Sequence, residues 1–140
     1  MDTTEWRLAN GVRVILKPTD FKKNSITFSA QSPGGLSLAS DELFVSADKA
    51  IDIVTYSGVG SFNAVELGKK LSGKNLSIEP KIFSLSEGMS GSSTIEDLPT
   101  LFELIYLYFT APRFDNDDFE NYKNSEREML LDRQLDPEEV

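Results

Sequence analysis

Neither an imidazole nor a thiol is available anywhere in these 140 residues, because the chain contains no histidine and no cysteine. Histidine is the commonest ligand of catalytic zinc and the commonest general base near neutral pH, so this zero removes most hydrolytic chemistry. A Ser-His-Asp triad cannot be assembled, nor can a disulfide, a thiolate metal site or a thiol nucleophile. What remains is carboxylate: 23 acidic side chains stand against 14 basic ones, for a net charge of −9. That sign excludes nucleic acid as a partner, since phosphates would be repelled. Paired carboxylates alone can hydrolyse glycosides, yet no pattern here singles out one pair.

Other groups invite chemistry and have simpler readings. Glu126 and Glu128 could meet a hard cation, but no clustered oxygen-ligand loop surrounds them, and exposed helix charge is the plainer account. Gly88-Met89-Ser90-Gly91-Ser92-Ser93 precedes a helix as a phosphate loop would, without the Gly-Lys-Ser/Thr ending or the dinucleotide spacing. Small residues that let a strand pass close to another element, or keep it clear of a peptide path, explain it better. Tyr106, Tyr108 and Phe109 could line a groove, but at helical spacing they read as core. Trp6 reads as the anchor of the first hairpin rather than the lid of a pocket.

The elements that must position these groups follow from periodicity. Trp6 and Leu8 lead into Asn10-Gly11, which predicts a type I′ hairpin turn, and Val12, Val14 and Leu16 form the return strand. Ile26, Phe28 and Ala30 alternate as a third strand, broken at Ser32-Pro33-Gly34-Gly35. Phe44, Ala47, Ile51 and Val54 predict a helix ending near Ser57-Gly58, followed by a short one through Ala64, Leu67 and Leu71. Two strands come next, one through Leu76 and Ile78 up to Pro80, the other through Phe83, Leu85 and Met89. Ser93-Thr94-Ile95-Glu96 has the capping-box form ahead of a helix carrying Leu98, Leu101, Phe102, Ile105 and Phe109. That helix is apolar around much of its circumference, which predicts deep packing. A last helix spans about Asp117 to Gln134 and breaks at Asp136-Pro137.

Hairpin-linked strands separated from helices give an α+β class, with helices layered on an antiparallel sheet. Composition is globular, and the length suits one domain over residues 1–140. Residues 114–140 carry ten acidic and three basic side chains, −7 of the total −9, and read as an acidic terminal helix and tail. Five strands followed by this helix read as a truncated sheet with an unpaired edge, which natural proteins cover. No run reaches the length of a membrane span, and Met1 to Glu5 lack the regions of a signal peptide.

Trp6-Arg7-Leu8-Ala9-Asn10-Gly11-Val12-Arg13-Val14, then Ser32-Pro33-Gly34-Gly35, resembles the repeat domains of pitrilysin/insulinase zinc metallopeptidases. The resemblance runs on through Phe62 to Leu67, Gly88 to Ser93 and Leu104 to Arg113, in order along nearly the whole chain. It implies the pitrilysin/processing-peptidase-like metallohydrolase fold, in which related domains enclose a chamber for peptides. The active domain of that family carries His-x-x-Glu-His on its first long helix and a further glutamate on a later one. Aligned back from Phe62, the motif falls on Lys49 to Ile53: Lys49 and Ile53 replace the histidines and Asp52 the glutamate. Glu126 and Glu128 both lie near the third ligand position. Asp52 reads as a relic of the general base or, more simply, as the polar side of an amphipathic helix.

The resemblance therefore implies no catalytic, cofactor or metal site in this chain, with zinc held in the catalytic domain of a parent protein. It matches the degenerate domain that opens the second half of the long members. The implied function is a non-catalytic, chamber-forming part of a zinc metallopeptidase. Its partners would be the other repeat domains and, in the parent, a peptide substrate, with the bacterial periplasm or envelope as location. The alternative is an independent interaction module or non-catalytic subunit of a hetero-oligomeric processing complex.

Overall fold

A computed structural model describes residues 2–135. The expected break at Asp136-Pro137 and the acidic tail lie outside the described residues. Chain order is β1 (Thr4–Arg7), β2 (Arg13–Leu16), β3 (Ile26–Pro33), a 3₁₀ turn (Gly35–Leu38), α1 (Phe44–Ser57) and α2 (Ala64–Lys70). It continues with β4 (Leu76–Ile82), β5 (Ser86–Ser93), α3 (Leu98–Thr110) and α4 (Asn116–Leu135). The expected succession of three strands, two helices, two strands and two helices is thus the one observed, and the class is α+β.

The strands form two antiparallel sheets. β1 and β2 pair alone, with Trp6 opposite Val14, and the larger sheet has the order β3-β5-β4. The Gly/Ser-rich β5 is the central strand: Met89 lies between Ala30 and Pro80, and Gly91 between Phe28 and Ile78. Because side chains alternate across a strand, this row makes one face and Ser90 and Ser92 belong to the other. α3 packs on β4 and β5, and α1 packs on β4. On the side they cover, Met89, Pro80 and Ser93 are buried. The opposite face is polar and open: Ser77 Oγ lies 2.9 Å from Ser92 Oγ, and Gln31 Nε2 donates to Ser86 Oγ at 2.9 Å. α4 packs on the outside of α1.

Local details depart from expectation for physical reasons. Gly11 alone takes a positive φ (87°) in the first turn, so the turn is not type I′; Asn10 Oδ1 instead accepts from the Val12 N–H. β4 continues through Pro80 to Ile82, which an edge strand tolerates because a missing N–H can face outward. Phe83 and Leu85 belong to the β4–β5 turn rather than to a strand, and both are exposed. The capping box forms at α2, where Asn63 Oδ1 accepts from Glu66 N and Glu66 Oε2 from Asn63 N. Before α3 the pairing shifts one residue from the expected Ser93–Glu96. Thr94 Oγ1 accepts from Asp97 N, and Asp97 Oδ2 accepts from Thr94 Oγ1.

The largest departure concerns burial. The buried apolar core is Val59, Met89, Leu101 and Leu104. α3 buries one side only, leaving Phe102, Tyr106 and Phe109 at 61%, 66% and 72% exposure, and Trp6 is half exposed on the hairpin. Accessible surface totals 10898 Å², whereas a folded 15.6 kDa monomer has roughly 7,200 Å² by the usual scaling. About half as much surface again stands uncovered. The deep packing expected of α3 is therefore absent among the described residues, and its uncovered side carries Phe102, Tyr106 and Phe109.

Candidate functional site

The residues aligned with the zinc motif lie on α1, against α4. Lys49 and Asp52 are three apart and Tyr56 seven from Lys49, so all share the face that meets α4. Lys49 Nζ sits 3.8 Å from Asp52 Oδ2, 3.9 Å from Asp48 Oδ2 and 3.9 Å from Glu126 Oε2. Tyr122, one helical turn before Glu126, donates its hydroxyl to Asp52 Oδ2 at 3.1 Å and meets Tyr56 edge-on at 6.2 Å. Ile53 is half-buried on the same helix.

Between the two glutamates near the third ligand position the geometry distinguishes: Glu126 faces Lys49, while Glu128 is exposed, well round the helix from it. Lys49, Asp52 and Glu126 are therefore brought together across the α1–α4 contact. Tyr122 completes the cluster and was not anticipated. Its signal lay in the i, i+4 spacing of Tyr122 and Glu126 opposite a matching polar stripe on α1.

These donors do not fit a hydrolytic zinc. A protonated lysine has no lone pair to give, isoleucine has no ligand atom, and the carboxylates of Asp52 and Glu126 already flank an ammonium. Desolvation, then the Asp52 bond and the charges of Asp52, Glu126 and Asp48, push the Tyr122 phenol up to about 12. It stays a neutral hydrogen-bond donor rather than a base.

Asp52 and Tyr56 also border a cleft of about 930 Å³, closed on other sides by Val65, Pro80, Arg113 and Asp118. The Asp115 carboxyl beside it is held below the usual range by the N–H groups of Asp118 and Asp117, then by Arg113. It caps the start of α4, accepting from those two amides at 3.3 and 3.0 Å. Acidic side chains line much of the cleft, which disfavours anions.

No family model matches the chain. A probable zinc protease of Haemophilus influenzae, PqqL, is 27% identical over 137 residues, which is 98% of this chain and 15% of that protein. The crystal structure of a ferredoxin protease, FusC, in complex with Arabidopsis ferredoxin superposes with a TM-score of 0.73 at 26% identity. The match covers 82% of this chain and 13% of that one. The periplasmic protease PqqL from Escherichia coli matches in fold with a TM-score of 0.81 at 21% identity, covering 96% of this chain and 15% of its own. The chain is similar to one part of the pitrilysin-family peptidases. It spans about a seventh of the length of the PqqL proteins that it matches. Among the described residues no helix is long and apolar enough to cross a membrane.

Proposed function

We propose that this chain is a non-catalytic, chamber-forming part of a zinc metallopeptidase, packed against other repeat domains of the same polypeptide. Zinc and its general base are supplied elsewhere in the parent, which cleaves peptides and resides in the bacterial periplasm. One observation carries this reading. An accessible surface of 10898 Å², with aromatic side chains such as Phe102, Tyr106 and Phe109 exposed, needs covering by further protein. The excess, roughly 3,700 Å² over a folded monomer, exceeds what one interface of standard size, about 800 Å² per partner, would hide. The replacement of both histidines by Lys49 and Ile53 supports the non-catalytic part of the reading. The open polar sheet face, with Ser77, Ser90 and Ser92, suits the lining of a wet enclosure.

The test compares the full parent polypeptide with this chain alone. After dialysis the parent should retain zinc in stoichiometric amount, and this chain no more than a histidine-free control. Stoichiometric zinc on the isolated chain, with chelator-sensitive peptide cleavage, would overturn the reading. Lys49→His, Asp52→Glu and Ile53→His combined recreate the motif on α1; without the rest of the enclosure they should not yield efficient proteolysis.

A further inference from the structure

The mismatch between the zinc motif and the residues in its place has a positive side. The geometry points to Lys49 as a built-in cation that replaces a metal in joining α1 to α4. Three carboxylates converge on its ammonium: Asp48 and Asp52 from its own helix, and Glu126 from α4, all within 3.9 Å. Asp52 takes a second bond from α4 through the Tyr122 hydroxyl. The two helices thus meet through an alternation of charge, carboxylate–ammonium–carboxylate, with a neutral phenol closing one end. Without the ammonium, Asp48, Asp52 and Glu126 would be like charges facing one another across the α1–α4 contact, a repulsive arrangement. A divalent cation could satisfy the same carboxylates, but only with further donors, and Ile53 provides none. A lysine needs no such set: its charge is covalently attached and independent of metal supply.

This inference rests on the non-catalytic reading above, and it adds a role to a position that reading treats only as lost. Lys49 becomes a positioning residue. It holds α4 against α1 through Glu126.

The experiment is hydrogen exchange followed by mass spectrometry on the full parent polypeptide, reading peptides from α1 and α4. It compares wild type, Lys49→Met, Lys49→Arg, Glu126→Gln and the Lys49→Met/Glu126→Gln double variant, each with and without a chelator. Lys49→Met should speed exchange in both helices by roughly two- to fivefold, the scale of a partly exposed ion pair. Glu126→Gln in that background should return part of the protection, because it removes a repelling charge, and Lys49→Arg should keep most of it. Exchange in α1 and α4 should ignore the chelator once the parent's zinc motif is substituted. If Lys49→Met leaves both helices unchanged, or the two substitutions act independently, the built-in cation is refuted while the non-catalytic reading stands. If the chelator still loosens α1 and α4 in a parent whose zinc motif has been substituted so that it holds no zinc, a metal sits at this site and both readings fall.

Discussion

The hydroxyl of Tyr122 donates to Asp52 Oδ2 at 3.1 Å, which ties the last helix to the first at the position aligned with the family's general base. Asp52 is engaged by Tyr122 and Lys49 together, so its carboxylate serves the helix contact. Tyr122→Phe keeps the ring against Tyr56 and removes only this bond. The expected loss is about 1 kcal/mol, since Asp52 is half exposed and water replaces the donor in part. Denaturant melts of the parent polypeptide measure it, and a loss near zero would show that the bond does not hold α4.

The same bond has a pH signature. The folded phenol is raised from the ordinary 10.0 to about 12, so the folded state favours the neutral form. A raised acid stabilises fully below the unfolded value and loses that contribution as pH climbs through the folded one. Wild type should therefore exceed Tyr122→Phe in stability up to about pH 10, and the gap should close between pH 10 and 12. Melts of the two proteins across that range check it. A gap that widens with pH would reverse the assigned cause.

How much of this was legible beforehand varies with the physics behind each element. Element order came through because periodicity reports local hydrophobic contrast, as the switch from Ile26-Phe28-Ala30 to Phe44-Ala47-Ile51 illustrates. The sequence pattern points to a capping box at Ser93–Glu96, while Asn63 and Glu66 form one. The pattern matches both places, and the fold gives Asp97 to Asn75 and Lys74 instead. The family resemblance points to Lys49 and Asp52 and leaves Glu126 and Glu128 open, whereas choosing Glu126 and adding Tyr122 requires knowing that α4 lies on α1. The burial of α3 differs from expectation because apolarity all round a helix does not say which sides its own chain covers, and Phe102, Tyr106 and Phe109 stay exposed.

Asp97 marks a second buried link, at 6% exposure. Its carboxylate accepts from Asn75 N at 2.8 Å and Thr94 Oγ1 at 3.0 Å, and pairs with Lys74 at 3.1 Å. The Asn75 amide above all, then Lys74, hold its carboxyl below the usual carboxylate value. For a depressed acid the contribution is complete above the unfolded value, 3.8, and is lost as pH falls through the folded one. Asp97→Asn should thus destabilise the protein at neutral pH more than Glu96→Gln does, with the difference fading below about pH 4. Acid-titration melts decide it, and equal behaviour of the two variants would mean the buried link is idle.

Gly91 tests how closely the sheet strands approach. A Cβ there would run into the Ser77 carbonyl oxygen and the Phe28 ring at 2.7 Å, and backbone cannot step aside as a side-chain tip can. Gly91→Ala should cost about 1–3 kcal/mol as overpacking. Gly68→Ala, where nothing lies within 4 Å and the backbone is helical, should be neutral or stabilising. Equal melts for the two would show that β5 does not need glycine for contact.

The outer side of α3 separates a part of a larger protein from a free-standing module. Phe102, Tyr106 and Phe109 recur at i, i+4 and i+7, which makes one stripe on the helix, and each is more than half exposed in this chain. A surface residue with no neighbour tolerates replacement, so Phe102→Ser and Phe109→Ser in the isolated chain should leave the melting transition within about 0.5 kcal/mol and reduce self-association. Within the parent polypeptide the same side chains should be covered, and each replacement should then cost about 1.5–3 kcal/mol of burial. Exchange protection of α3 should fall in step. If both settings respond alike, with no added cost in the parent, nothing packs on α3 and the chamber-forming assignment loses the surface it depends on.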